Sequence, residues 1–205
     1  SEVQRQHREG SLKVSNLTLY RNNGDALIEN INLEATPGDS LLIQGASGCG
    51  KTSLLRALAG LWPFGVSGEI SAPPQADIMF VPQRPYVPQG SLREAVCYPD
   101  IDPQHPDLEN AMRDCCMEKW LPYLDITDDW QHRLSPGELQ RIAFIRILLA
   151  RPRLVLLDES TAALDEPTEE TLYQLLLKRL PDSTLVSIGH RCTLAAYHKR
   201  SILIA

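Results

Sequence analysis

Short apolar alternation begins at Leu12 and runs through Val14, Leu17 and Leu19; it resumes at Leu27, Ile31 and Leu33 after the polar break Asn22-Asn23-Gly24-Asp25. Ile28 sits beside Leu27, and Glu29 interrupts the strict period. This pattern predicts two edge-type antiparallel strands joined by a turn. Downstream the runs become uninterrupted: Leu41–Ile43, Ile78–Val81, Leu154–Leu157, Leu185–Ile188 and Ser201–Ile204. Runs this short and this apolar predict strands covered on both faces, as in a largely parallel sheet with helices between the strands. The runs ending near Gly45, Gln83, Asp158 and His190 give way to polar or Gly-rich residues, and in open α/β sheets that carboxyl edge is where ligands bind.

Helical spacing marks three stretches. One runs from about Lys51 to Ala59. A second joins Ile142, Ile145, Leu148 and Leu149. The third joins Leu172, Leu175, Leu176 and Leu180, stopping before Pro181-Asp182. Between about Ser91 and Leu134 the chain is rich in Pro and Asp, with one helical series around Leu108, Ala111, Met112 and Cys115. It reads as an inserted helical lobe. Residues 1–11 are polar without an apolar period and read as a linker from an upstream domain or the boundary of an excised piece. Trp62, Trp120 and Trp130 read as packing residues.

Composition adds exclusions. The 205 residues carry a formal charge of −6, and residues 93–133 hold ten Asp or Glu against four Lys or Arg, which accounts for the whole excess. With no basic stripe, nucleic acid is a poor partner. Five cysteines, Cys115 and Cys116 adjacent, form neither a disulfide framework nor a metal-ligand spacing. No apolar run approaches the ~18 residues of a membrane helix.

The chemistry is concentrated in four places. Gly45-Ala46-Ser47-Gly48-Cys49-Gly50-Lys51-Thr52 fits G-x-x-x-x-G-K-[ST], with a strand before it and a helix after it, the context that motif requires. Its glycines let backbone N–H groups curl around a phosphate at a helix start. Lys51 then reaches the β- and γ-phosphates, and the Thr52 hydroxyl serves as a Mg²⁺ ligand. Cys49 reads as a filler pointing away from the phosphate. Asp158 and Glu159 end a buried strand with side chains sent opposite ways. Asp158 suits contact with Mg²⁺ and Glu159 suits a general base that orients water. His190 ends another strand as a candidate phosphate sensor, and Gln83 ends a further one as a candidate Mg²⁺ or water ligand. Lys51, Asp158 and Glu159 alone point to a Mg²⁺-dependent nucleoside triphosphatase.

With Leu134-Ser135-Pro136-Gly137-Glu138-Leu139-Gln140-Arg141 added, nearly the whole chain, from about Leu12, resembles the ATPase domain of ABC transporters. In that resemblance residues 45–52 are the Walker A loop, Gln83 the Q-loop glutamine, Leu134–Arg141 the signature, and Leu154–Glu159 Walker B. Ala162-Ala163-Leu164-Asp165 is the D-loop and His190 the switch histidine. Lys51 precedes Gln83, and Asp158 precedes His190, by 32 residues each. The resemblance implies a phosphate-loop α/β fold spanning residues 12–205: a mostly parallel core sheet, an antiparallel β region at the amino terminus, and a helical lobe over about 91–150. It implies ATP and Mg²⁺ as ligands, Lys51, Glu159 and His190 as catalytic residues, and Thr52, Gln83 and Asp158 at the metal. Tyr20 is placed as the adenine-stacking aromatic, and Ser135, Gly137, Glu138 and Asp165 as nucleotide contacts across a head-to-tail pair of domains. Arg84 and Tyr86 fall where a membrane domain docks. The implied setting is the cytoplasmic face of a membrane, the bacterial inner membrane among them, in a transporter whose membrane path lies outside this chain. Gly60–Gly65, Pro82–Tyr86, Gly90–Glu94 and Tyr98-Pro99 further resemble the subgroup holding peroxisomal fatty-acyl transporters and their bacterial relatives, which implies a fatty-acyl or peptide-like substrate. Two other readings stay open: a soluble ABC ATPase of DNA repair or translation, and an ATP-holding module without turnover.

The chain departs from the family pattern at Pro136 and Glu138, where Gly and Gln are usual, and at Ala162, where Ser is common. Pro at a first helical position sacrifices an N–H that needs no intrahelical partner, and Ser135 and Glu138 have capping-box spacing. The expected costs are a lost backbone donor and an added negative charge near a phosphate, with slower turnover.

Overall fold

The computed structural model describes residues 4–7 and 11–204. In chain order the strands are β1 (Gln4–His7), β2 (Leu12–Tyr20), β3 (Ala26–Ala35), β4 (Ser40–Gly45), β5 (Val66–Ala72), β6 (Ile78–Val81), β7 (Gly90–Ser91), β8 (Thr127–Asp128), β9 (Leu154–Asp158), β10 (Thr184–Ile188) and β11 (Arg200–Ile204). The helices are α1 (Lys51–Leu58), α2 (Leu92–Cys97), α3 (Leu108–Asp114), α4 (Trp130–Arg133), α5 (Pro136–Ala150) and α6 (Glu166–Arg179). They divide between two compact units. The first takes the described residues up to Phe80, Pro152–Glu159, and those from Pro181 on; the second takes Val81–Arg151 and Ser160–Leu180.

In the first unit β4, β9, β10 and β11 pair in parallel in a sheet of order β11-β4-β10-β9-β6. Every residue of β9 and of β10 is buried, as continuous apolar runs require when both faces of a sheet are covered. A second sheet has the order β1-β5-β2-β3, with β2 antiparallel to β3 and to β5. Leu12, Leu17, Leu19, Leu41, Ile43, Leu54, Leu58, Leu156 and Val186 share one core. The predicted hairpin is present, and the break at Glu29 has a structural meaning. Leu17 faces Ile31 while Leu19 faces Ile28, so the register shifts, and Asn30 takes φ 58° there.

Besides the two-residue β7 and β8, two strands escape the sequence pattern. β1 lies within the stretch read as a linker and pairs in parallel with β5. β5 itself has only Val66, Ile70 and Ala72 as apolar residues and carries Gly68 in its middle. A Cβ on Gly68 would lie 2.4 Å from the Asn16 carbonyl oxygen, and φ is +106°, so this crossing of β5 with the irregular part of β2 admits only glycine.

The second unit takes in α2 to α5, the stretch expected to form a helical lobe over about 91–150. It starts at Val81 and includes α6, which lies outside that stretch. Trp130, Phe144 and Tyr173 are fully buried here, the last two ring-to-edge at 6.1 Å. α2 and α5 open alike, with Ser91 and Glu94, or Ser135 and Glu138, making both halves of a capping box. Pro167 lies in the first turn of α6, whose N-cap is Asp165. The thiols divide sharply: Cys97 and Cys115 are buried, Cys116 and Cys192 exposed, Cys49 between. Burial pushes the thiol pKa of both Cys97 and Cys115 up.

Candidate functional site

In the first unit the loop 45–50 leaves the end of β4 and delivers the chain into α1. Gly50 is the N-cap of α1; no side chain caps the helix and no acidic residue stands in its first turn. The opening N–H groups thus have no side-chain cap, and the partial positive charge at the helix start is not opposed by a local carboxylate. Lys51 is buried, and its ammonium donates to the Gly45 carbonyl, which parks the charge at the mouth of the loop. Gly45 is dictated by crowding. A Cβ there would sit 2.7 Å from Cys49 Sγ and 2.8 Å from the Ile204 carbonyl oxygen. The Cys49 thiol is therefore folded back against the start of its own loop.

Asp158 and Glu159 diverge in their partners. Asp158 is 9 % exposed and accepts a hydrogen bond from Thr52. Burial raises its carboxyl pKa and the negative Glu159 adds to that; the Thr52 bond, Arg56 and Lys51 pull the other way without cancelling it. Glu159 takes φ 51°, a left-handed conformation rare outside glycine, while its N–H donates to the Ile188 carbonyl at 2.9 Å. That turn brings Glu159 Oε1 to 2.8 Å from His190 Nε2. β9 and β10, paired Ile188 to Asp158, thus supply one carboxylate to the loop threonine and the other to the histidine. Among the described residues no three His, Cys, Asp or Glu side chains gather into a metal cluster. Thr52 and Asp158 offer hard oxygen donors, the chemistry Mg²⁺ takes when phosphate and water complete its shell.

Tyr20 stands at the end of β2. Its hydroxyl lies 3.3 Å from Ser67 Oγ, its carbonyl accepts from Trp62 Nε1, and a Cβ on Gly65 would meet its ring at 3.4 Å. The ring is half-buried against β5 and the turn before it.

The second unit holds the remaining expected residues. Gln83 has an exposed side chain, and its carbonyl accepts from the Gln140 amide at 2.8 Å. The same Gln140, 1 % exposed, accepts from the Ala163 N–H at 2.9 Å. One buried amide, unremarked in the sequence, therefore ties the Gln83 loop and the 162–165 loop to α5. Arg146 on the same helix donates to the carbonyls of Tyr86 at 2.8 Å, Ala95 at 2.6 Å and Val96 at 3.3 Å. Desolvation brings its pKa down to about 10, which still leaves it charged at neutral pH. Tyr86 is exposed and packs ring-to-edge at 5.2 Å on Tyr98, with Arg84 exposed nearby in sequence. Ser135 and Pro136 are exposed, whereas Asp165 Oδ1 caps α6 by accepting from the Thr168 N–H at 2.8 Å.

The added negative charge of Glu138 has partners within the second unit. Glu138 is buried; Oε1 accepts from the Ser135 N–H at 3.0 Å, and Oε2 accepts from Trp120 Nε1 and lies 3.4 Å from Lys119 Nζ. Burial pushes its pKa up, but the bonds from Ser135 and Trp120, with Lys119 beside them, outweigh that and hold it below the ordinary value. Both oxygens are engaged inside the unit, so the carboxylate anchors the first turn of α5 to the Trp120 segment.

The strand–loop–helix that ends β4, the carboxylates that end β9 and the histidine after β10 define a phosphate-loop nucleotide-site protein. The ABC transporter family model matches residues 28–162, and the chain belongs to that family. An uncharacterized ABC transporter ATP-binding protein of Haemophilus influenzae is 50 % identical over 196 residues, which is 96 % of this chain and 33 % of that protein. An ABC transporter D family member of Dictyostelium discoideum is 36 % identical over 202 residues, covering 92 % of this chain and 27 % of that one. Relatives in the D family agree with the subgroup resemblance. The structure of a bacterial Atm1-family ABC exporter with ATP bound superposes with a TM-score of 0.82 at 21 % identity, over 97 % of this chain and 37 % of that one. The chain thus spans about a third of the length of the relatives it matches. No helix among the described residues is long and apolar enough to cross a membrane.

Proposed function

We propose that the chain is the ATP-binding and ATP-hydrolysing domain of an ABC transporter, working in a head-to-tail pair and driving a membrane domain that lies outside it. The observation that carries this reading is the joint placement of Lys51 on the phosphate loop, Asp158 on Thr52, and Glu159 on His190.

On binding, the γ-phosphate replaces the Gly45 carbonyl as the partner of Lys51, and the opening N–H groups of α1 hold the β-phosphate. Thr52 and Asp158, with Gln83 as a further ligand, would hold Mg²⁺, which would supply charge neutralisation at the phosphates. Glu159 accepts a proton from the attacking water, and His190, its 2.8 Å neighbour, fixes the direction of the carboxylate. Ser135 and Gly137 of the second copy cover the nucleotide, with Asp165 at the same seam. Tyr20 stacks on the adenine. Tyr86, Tyr98 and Arg84 receive the membrane domain, since exposed aromatics and Arg are common interface anchors. This sets the domain at the cytoplasmic face of its membrane. A fatty-acyl or peptide-like cargo follows from the subgroup alone.

ATP turnover is to be measured against protein concentration with Mg²⁺, beside a Glu159→Gln variant on a sizing column. Turnover per molecule that rises with concentration, and an ATP-dependent dimer of the variant, are expected. Turnover flat with concentration in the full-length protein, with no dimer of the variant, would overturn the paired mechanism.

A further inference from the structure

The Glu138 departure has a partner that the family reading does not supply. Glu138 stands in the first turn of α5, three residues after Ser135, at the helix end that the proposed function brings to a nucleotide. A carboxylate free to swing there would oppose an incoming phosphate. In this chain its second oxygen is taken by Trp120 Nε1, with Lys119 Nζ at 3.4 Å. Trp120 is itself held. Its ring is edge-on to Tyr123 at 5.2 Å and to Trp130 at 5.6 Å. The Arg133 guanidinium lies 4.7 Å from the Trp130 ring, 5.3 Å from Tyr123 and 5.5 Å from Trp120, while bonding Asp128 at 2.6 Å. Three rings and a paired cation therefore fix one indole N–H in the segment that leads directly into Ser135. Such a cluster gives a fixed donor, and a charge-assisted bond from a fixed donor is the strong kind.

We infer that Trp120 is a positioning residue for the signature end of α5: its indole N–H keeps the Glu138 carboxylate turned inward, so that the helix start meets nucleotide as N–H and hydroxyl donors and not as an anion. The inference rests on the reading that this helix end faces ATP in a paired domain. It assigns no contact between Trp120 and nucleotide. It also explains how Glu is accommodated where Gln is usual, because the tether turns the extra charge inward, with Lys119 beside it.

The test is a double-mutant cycle in the full-length protein, reading maximal turnover, half-saturating ATP and thermal midpoint for wild type, Trp120→Phe, Glu138→Gln and the pair. Phe keeps the ring packing and deletes the N–H. Trp120→Phe is expected to lower maximal turnover about tenfold, the scale of one charge-assisted bond, with half-saturating ATP within about twofold. In the Glu138→Gln background the same change should cost less than about twofold, because no charge remains to be restrained. An equal loss in both backgrounds, or no loss in either, overturns the inference and leaves Trp120 a packing residue. A separate Pro136→Arg variant, which places bulk on the exposed helix start, tests the underlying reading. If it turns over ATP like wild type, the pairing of domains at α5 fails whatever the Trp120 cycle shows.

Discussion

At the scale of single residues, half-buried His198 shows how a polar ring is held on both sides. His198 is held by Nδ1 at 2.6 Å from the Leu194 carbonyl and by Nε2 at 2.7 Å from Ser187 Oγ. Facing a carbonyl, Nδ1 carries the proton, so neutral Nε2 accepts from the serine hydroxyl. Desolvation lowers its pKa, outweighing the Leu194 bond, so the folded protein resists protonation more than the unfolded chain. A depressed folded pKa means that the His198 contribution to stability is complete above the unfolded value and is lost as pH falls through the folded one. Thermal midpoints taken between about pH 7.5 and about pH 5 should fall for the wild type, and His198→Gln should flatten that fall. A wild-type profile parallel to that of the variant would show that other groups set the acid limb.

At the scale of elements, α5 does more than present its first turn. Ser135 starts it, Gln140 holds the Gln83 and Ala163 backbones, and Arg146 holds three carbonyls of the 86–96 segment. Arg146→Met would strip those carbonyls of a shared donor and should cost about 3 kcal/mol in denaturant unfolding. Lys should not restore it, because a point ammonium cannot span three acceptors as a planar fork does. Much of this element was legible in advance, since the S-x-x-E spacing and the Ile142–Leu149 series mark its start and buried face. The same spacing at Ser91 and Glu94 marks α2, yet the surrounding Pro and Asp residues hid it. β5 had no comparable sign, because its apolar residues are few and its existence depends on pairing with β1 and β2. The phosphate loop and both carboxylates were readable because each follows a buried strand. The Trp120–Glu138 link was not, because it joins residues 18 apart through an irregular segment.

At the scale of the whole molecule, the charge is uneven: residues 93–133 carry the net excess of acid. Two copies brought together add these like charges, and salt screens such repulsion over about 10 Å at 0.1 M. The ATP-dependent dimer of Glu159→Gln should therefore strengthen as ionic strength rises from about 0.05 M to about 0.3 M, as read by sedimentation. Weakening over that range would mean that attractive pairs at the seam dominate.

The sorting of the thiols carries a practical consequence. Cys116 is exposed in the second unit and Cys192 in the first, while Cys97 and Cys115 are sequestered. With Cys49 replaced by Ala, the chain already holds one addressable sulfur on each unit. A donor and an acceptor dye placed there would label each unit separately, with no cysteine introduced to carry them.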